Sequence, residues 1–253
     1  MMNICRMKRL LLTDLNQEPF DVVVIGAGAN GSGAAQELAA RGFRVLIVDK
    51  GDFSSGATSR SSRIVHCGLR HLAPGKSVWE FVRNPKKFWV ACQNAKKSMD
   101  SRSQVAETMK PLVSPFPFAF PIYKDGPYAS WQVDVAFKLL DILGPGDLPL
   151  DYVRYNRRNM DQVPFSDWVK NPEQLKGFAV FRDYQFLSAE RLIVDTLKDA
   201  QRMGASVRNY TECIEAQKEG DFWKLELQDR HDLSEKTTIQ CKLVINTSGP
   251  WGD

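Results

Sequence analysis

FDVVVIGAGANGSGAAQELAARGFRVLIVDK, residues 20–50, reads as one complete βαβ nucleotide-binding unit. An apolar run, Val22 to Ile25, leads into Gly26, Gly28 and Gly31 in G-x-G-x-x-G spacing. A helical pattern follows on Ala34, Ala35, Leu38 and Ala39, and a second strand, Val45 to Val48, ends on Asp49. Gly26 permits the tight turn out of the strand, Gly28 lets backbone approach a pyrophosphate at a helix N-terminus, and Gly31 lets the helix lie close on the sheet. Asp49 falls about twenty positions beyond the turn, where a carboxylate can accept from ribose hydroxyls. A carboxylate there disfavours a 2′-phosphate, because two negative charges would meet. The unit therefore predicts NAD or FAD and does not by itself choose between them.

The 253 residues suit one large domain or two small ones. Hydrophobic content of 43% and charged content of 25% are those of an ordinary globular chain. No apolar run approaches the roughly 20 residues a membrane span needs. The leader MMNICRMKRLLL is short and basic, without a small-residue cleavage site. Five scattered cysteines without C-x-x-C spacing fit a reducing compartment and no metal site. Net charge is only +4, with clusters at Arg6–Lys8–Arg9 and at Arg83–Lys86–Lys87–Lys96–Lys97. The second is interleaved with Trp79, Phe81, Phe88 and Trp89. It reads either as a solvated helix face or as a docking surface for anionic lipid headgroups. Nucleic acid is not expected, since no recognition motif accompanies the basic residues.

Residues 50–72 are dense in Ser, Gly and Thr and read as a loop with at most a short helix. Residues 77–99 form a helical pattern interrupted near Pro85, and residues 100–127, rich in Pro and Phe, are expected as short strands or irregular chain. Residues 129–143 have helical spacing and stop at Gly144-Pro145-Gly146. Gly177–Phe181 reads as a strand, and Ser188 caps a helix that closes on Gly204. Strands are expected at 206–210, 212–218, 222–228 and 237–246, with a hairpin turn at 218–221. The chain stops three residues after a strand–Gly–Pro element, with no helix to cover that strand. A doubly wound sheet needs both faces covered, so the chain is expected to be truncated. The predicted fold class is α/β: a Rossmann-like FAD-binding domain with a β-meander (19–75 and 182–253, discontinuous and incomplete), plus part of an α+β substrate or cap domain (76–181).

Three segments, 22–72, 181–207 and 244–251, together resemble the FAD-dependent glycerol-3-phosphate dehydrogenases, within the FAD-dependent oxidoreductase (D-amino-acid-oxidase-like) superfamily. The specific block is TSRSSRIVHCGLRHL (58–72), close to the family's SSRSSKLIHGGLRYL wording; FRDYQFLSAERL and VINTSGPW support it. The resemblance covers roughly the first half of such an enzyme. It implies FAD held by Gly26, Gly28 and Gly31 at the pyrophosphate and Asp49 at the adenosine ribose, with Lys50 beside it and Gly249 on the final strand's turn. The loop carrying Thr58, Ser59, Ser61 and Ser62 would pass along pyrophosphate and flavin, where hydroxyls and backbone N–H groups suit phosphate and ring heteroatoms. Arg70 matches a substrate-phosphate contact, a role suited to a guanidinium; its plain alternative is a salt bridge. His66 could carry a proton or orient the flavin edge, or serve structurally.

The sequence departs from the family where His71 stands in place of Tyr and Cys67 in place of the first Gly of HGG. The stretch Pro74–Ser114 is also longer than usual. These departures bear on the substrate more than on the cofactor. The reaction implied is oxidation of a small phosphorylated alcohol, sn-glycerol 3-phosphate, to dihydroxyacetone phosphate by hydride transfer to the flavin, with His66 or His71 as base and electrons passed to a quinone. The implied location is cytoplasmic, or peripheral on the inner face of a respiratory membrane. Two alternatives stay open: another flavin oxidoreductase of the superfamily acting on an amino acid or hydroxy acid, or an inactive FAD-binding fragment. The chain alone is expected to show weak or no catalysis.

Overall fold

The computed structural model describes residues 9–73, 79–164 and 166–252. The basic leader before Arg9 and the onset of the longer Pro74–Ser114 stretch lie outside them. In chain order the strands are β1 (Phe20–Ile25), β2 (Val45–Val48), β3 (Ile64–Val65), β4 (Val113–Tyr123), β5 (Val153–Asn156), β6 (Leu175–Phe186), β7 (Ser206–Arg208), β8 (Thr211–Glu219), β9 (Phe222–Asp229) and β10 (Lys236–Asn246). The helices are α1 (Ala29–Ala40), α2 (Trp79–Arg83), α3 (Pro85–Thr108), α4 (Ser130–Leu143) and α5 (Ala189–Arg202). The chain divides into two compact units, one of residues 1–62 and 188–253 and one of residues 63–187. Residues 63–73 and 182–187, grouped with the nucleotide-binding part in the sequence reading, fall in the second unit.

The first unit is a six-stranded sheet in the order β7-β2-β1-β10-β9-β8. Strands β7, β2, β1 and the end of β10 run parallel, while β10, β9 and β8 form an antiparallel meander. Strand β10 serves both halves: its first part pairs with β9 and its last with β1, and Cys241 pairs with Trp223 on one side and Phe20 on the other. Strand alternation sends Val22 and Val24 to one face, where Ala35, Ala39, Ile193, Leu197 and Ala200 of α1 and α5 cover them. It sends Val23 to the opposite face, against Leu12, Leu15, Leu225, Leu227 and Ile239. Burial on both faces is why β1 and β2 read as continuous apolar runs. The Ser188 hydroxyl caps α5 by accepting from the Arg191 N–H at 3.1 Å, as its position predicts.

The second unit is an antiparallel sheet with β6 at its centre, paired to β3, β4 and β5. Here the structure departs from the sequence expectation. The helix after Pro85 runs on to Thr108, with Asn84 as its N-cap accepting from Lys87 N–H, so Pro85 starts this helix. The Pro- and Phe-rich stretch that follows is one eleven-residue edge strand, β4. Pro115, Pro117 and Pro121 share one parity along it, so their missing N–H groups all fall on the same side, a pattern an edge strand tolerates. Helices α3 and α4 cover the sheet through Ala91, Ala95, Met99, Val133, Phe137 and Leu140. The short β5 carried no sequence signal, being exposed along most of its length.

Candidate functional site

The carboxyl ends of β1, β2 and β10, the loop after β2 and the start of β8 enclose a cleft of about 730 Å³ in the first unit. Ligands of open α/β sheets bind at this end of the strands. Gly26 has φ +101°, a conformation that side chains rarely adopt, and a Cβ there would lie 2.6 Å from the Thr247 carbonyl oxygen. Gly31 is set even closer: its Cβ would fall 1.9 Å from the Gly26 carbonyl oxygen and 2.6 Å from Thr247 Oγ1. Thr247 donates its hydroxyl between the carbonyls of Ile25 and Gly26, at 2.9 and 2.8 Å, locking the end of β10 to the glycine turn. The glycines thus bring the N-terminus of α1 against the end of β1 and leave backbone facing the cleft.

Asp49 also lines the cleft, at the end of β2. Its Oδ2 accepts from Ala27 N–H at 2.7 Å and its Oδ1 from Gly51 N–H at 2.9 Å. Each oxygen keeps a lone pair for a further donor, so the carboxylate is fixed in place and still able to accept from a diol. Thr58 Oγ1 accepts from Ala29 N–H at 3.0 Å, at the opening of α1. Its own proton stays free to be given to an anion lying over that helix end. Ser54 is buried with φ 65°, and its hydroxyl has no partner among the described residues.

Of the residues singled out in the sequence, Gly26, Gly28, Asp49, Lys50, Thr58 and Gly249 line the cleft, and Gly31 stands behind Gly26. Ser59, Ser61 and Ser62 are not among its lining residues. The Ser59 hydroxyl donates to Gly56 O at 3.1 Å and that of Ser61 to Thr58 O at 2.9 Å, so both hold the turn. Sequence reasoning missed Arg60, Glu212, Cys213, Arg230 and Trp251, all on the lining. Glu212 and Arg230 form an ion pair of 2.8 Å across β8 and the turn after β9. Their only sequence signal was a place near strand ends. Beneath this wall Asp229 is buried between Arg208 and Arg9, hydrogen-bonded to both, and Arg208 Nε donates to Thr211 Oγ1 at 2.8 Å.

In the second unit, β3 pairs with β6 and delivers the segment His66–Leu72. His66 and Arg70 are exposed, while His71 is half-buried and its N–H donates to Gly68 O at 2.9 Å. Cys67 is buried, and burial, together with the nearby Asp183 carboxylate, pushes its thiol up to about 12. Gly68 has φ +87°, and a Cβ on it would lie 2.8 Å from the Ser98 Cβ of α3. His231, the third histidine, is exposed and its ring packs on Tyr210 at 4.3 Å between centroids. Among the described residues no cluster of His, Cys, Asp and Glu could hold a metal ion.

A parallel sheet with a glycine turn, a helix N-terminus and an acidic strand end converging on one cleft defines a dinucleotide-binding protein of Rossmann type. Residues 21–253 match the family described as FAD dependent oxidoreductase, and the chain belongs to that family. It is similar to glycerol-3-phosphate dehydrogenase of Synechocystis, 31% identical over 245 residues that span 95% of this chain and 41% of that protein. The mitochondrial glycerol-3-phosphate dehydrogenase of Saccharomyces cerevisiae is 30% identical over 92% of this chain and 34% of its own length. The glycerol-3-phosphate dehydrogenase of Bacillus halodurans, solved with FAD, shares the fold with a TM-score of 0.62 at 22% identity, covering 95% of this chain and 36% of that one. The chain thus spans about a third to two fifths of the length of these relatives. The cofactor is FAD, and the residues present fit it. Close packing at Gly26 and Gly31, which a Cβ at either would force apart, leaves the backbone of Gly26, Gly28 and Ala29 facing the cleft where a pyrophosphate can lie, and Asp49 on the same lining keeps acceptor capacity for a ribose.

Proposed function

We propose that this chain carries the FAD-binding part, and a portion of the substrate-binding part, of an enzyme that oxidises sn-glycerol 3-phosphate to dihydroxyacetone phosphate. The observation that carries the proposal is the match of almost the whole chain to glycerol-3-phosphate dehydrogenases at about 30% identity. The first unit is the FAD-binding domain and the second the substrate or cap domain. Gly26, Gly28 and the opening of α1 hold the pyrophosphate, Thr58 donates to it, and Asp49 accepts from the adenosine ribose. Lys50 and Gly249 complete the wall, and Ser59 and Ser61 hold the loop in shape.

When bound, FAD supplies the acceptor for the hydride that leaves the secondary carbinol carbon. Arg70 binds the substrate phosphate through two parallel N–H···O bonds, which fixes the distance from phosphate to reacting carbon. His66 or His71 takes the hydroxyl proton as the carbonyl forms. Electrons then leave the enzyme to a quinone. No described helix is long and apolar enough to cross a membrane. Access to a membrane quinone is through peripheral contact, for which α3 offers exposed Phe88, Trp89 and Val90 beside Lys86 and Lys97.

The test is an anaerobic absorbance experiment on the purified chain loaded with FAD, following glycerol 3-phosphate and glycerol in parallel. Bleaching of the flavin bands that requires the phosphate, however slow, supports the proposal, and Arg70→Ala abolishes it. Bands that stay oxidised with glycerol 3-phosphate but bleach with an amino acid overturn it.

A further inference from the structure

The segment His66–Arg70 carries two exposed polar side chains on a backbone that is itself held unusually firmly. The Cys67 N–H donates to Asp183 Oδ2 at 3.0 Å. Asp183 Oδ1 accepts from Arg102 Nε at 3.0 Å, and both side chains are only 1% exposed. Arg102 spends three further donors on main-chain carbonyls, of Leu148 at 2.7 Å, Arg182 at 3.0 Å and Pro149 at 3.5 Å. Its guanidinium also lies over the Tyr184 ring, 5.1 Å from the centroid. One buried cation therefore ties α3, the strand β6 and the chain before β5 together, and one buried carboxylate hands that rigidity to the Cys67 amide. Gly68 follows in a left-handed conformation that seats the turn on Ala95 and Ser98 of α3.

Burying an ion pair is costly and is not by itself a route to stability. A pair placed here fixes where the next residues point. We propose that Asp183 and Arg102 are positioning residues for substrate recognition: they hold the Cys67–Gly68 turn so that Arg70 leaves a fixed backbone toward the phosphate of the substrate. The inference rests on the reading of Arg70 as the phosphate contact. It adds the element that makes such a contact geometrically selective, because a bidentate guanidinium discriminates only when its stem is fixed. Burial pushes the Asp183 carboxyl up, opposed by the Cys67 N–H and Arg102.

The experiment compares Asp183→Asn, Asp183→Ala, Arg102→Gln and Arg70→Ala in the FAD-loaded chain, with glycerol 3-phosphate binding followed by calorimetry. Hydrogen exchange of the peptide spanning residues 64–72 is followed alongside. The expected result is a loss of binding of tenfold or more in Arg70→Ala, Asp183→Ala and Arg102→Gln. Asp183→Asn, which keeps an oxygen for the Cys67 N–H, is expected to fall between these and the parent. Exchange in 64–72 should rise in the Asp183 variants while that of β4 and FAD affinity hold. Should Asp183→Ala not fold, the isosteric Asn variant and its exchange pattern decide the matter alone. Loss of binding in Arg70→Ala with parental binding and exchange in the Asp183 variants overturns the positioning role and leaves the Arg70 reading intact. Parental binding in Arg70→Ala, or no binding by the parent, overturns both.

Discussion

Replacing Gly31 by Ala is the sharpest perturbation of the FAD cradle, because the new methyl meets backbone. The Cβ would lie 1.9 Å from the Gly26 carbonyl oxygen and 2.6 Å from Thr247 Oγ1. Restoring an ordinary contact of about 3.4 Å requires α1 to withdraw from the end of β1 by roughly 1.5 Å, and neither partner is the loose end of a flexible chain. Withdrawal loosens Ala35 and Ala39 from Val22, Val24 and Leu197, the packing that holds α1 to the sheet. Overpacking of this kind costs about 1–3 kcal/mol, and a backbone clash belongs at the upper end. At about 2–4 °C per kcal/mol for a chain of this size, the melting temperature should fall by roughly 6–12 °C. The same movement carries Ala29 away from Thr58 and tilts the helix N-terminus off the pyrophosphate. FAD affinity should therefore drop at least about tenfold, equivalent to 1.4 kcal/mol.

Gly33→Ala is the matched control, two residues on in the same helix and with nothing within 4 Å of the added Cβ. There the substitution should stabilise the chain by about 0.5–1 kcal/mol through helix propensity alone and leave FAD affinity unchanged. Thermal denaturation followed by circular dichroism, and FAD titration followed by flavin fluorescence, read both variants. A Gly31→Ala chain that melts within about 1 °C of the parent and binds FAD equally well refutes the account of the cradle.

Further expectations concern the rest of the molecule. Asp229→Ala leaves Arg208 buried without its counter-charge and should lower stability by about 3–5 kcal/mol in urea denaturation; a change under about 1 kcal/mol would contradict the burial described. Burial raises the Asp229 carboxyl, but the N–H groups of His231 and Asp232 and the Arg9 guanidinium outweigh it and hold it below the ordinary carboxylate range. Its stabilising contribution is thus complete above that range and is lost as pH falls through the lowered value; urea midpoints against pH should flatten in the acid limb in Asp229→Asn. Burial pushes the Cys67 thiol up to about 12 and that of Cys241 to about 11, so neither should alkylate with iodoacetamide in native buffer, whereas both should in denaturant, as mass spectrometry of peptides would record.

What the sequence made legible was local. The glycine spacing, Asp49, the Ser188 cap and the strand runs and hairpin turn of β7 to β10 all lie within one or two elements, and short-range sterics decide them. Less legible was anything made by distant partners. Arg102 and Asp183 stand 81 positions apart and look, in sequence, like ordinary charges on a polar helix and an alternating strand. The hydroxyl-rich loop shows the same limit from the other side. Composition marks Thr58, Ser59, Ser61 and Ser62 alike, yet Thr58 bonds the helix N-terminus, while Ser59 and Ser61 bond carbonyls three residues back. The HCGLR segment combines both cases. Its exposed His66 and Arg70 are the part that reads as chemistry, whereas Cys67 and Gly68 between them meet Asp183 and α3. A motif of this kind is read as functional because its exposed residues stand out, but its spacing is fixed by buried ones. On the proposed reading, Arg70 serves a phosphate only while the Cys67 amide and the left-handed Gly68 keep the turn. Substitutions at those two positions should therefore damage substrate recognition while touching no substrate.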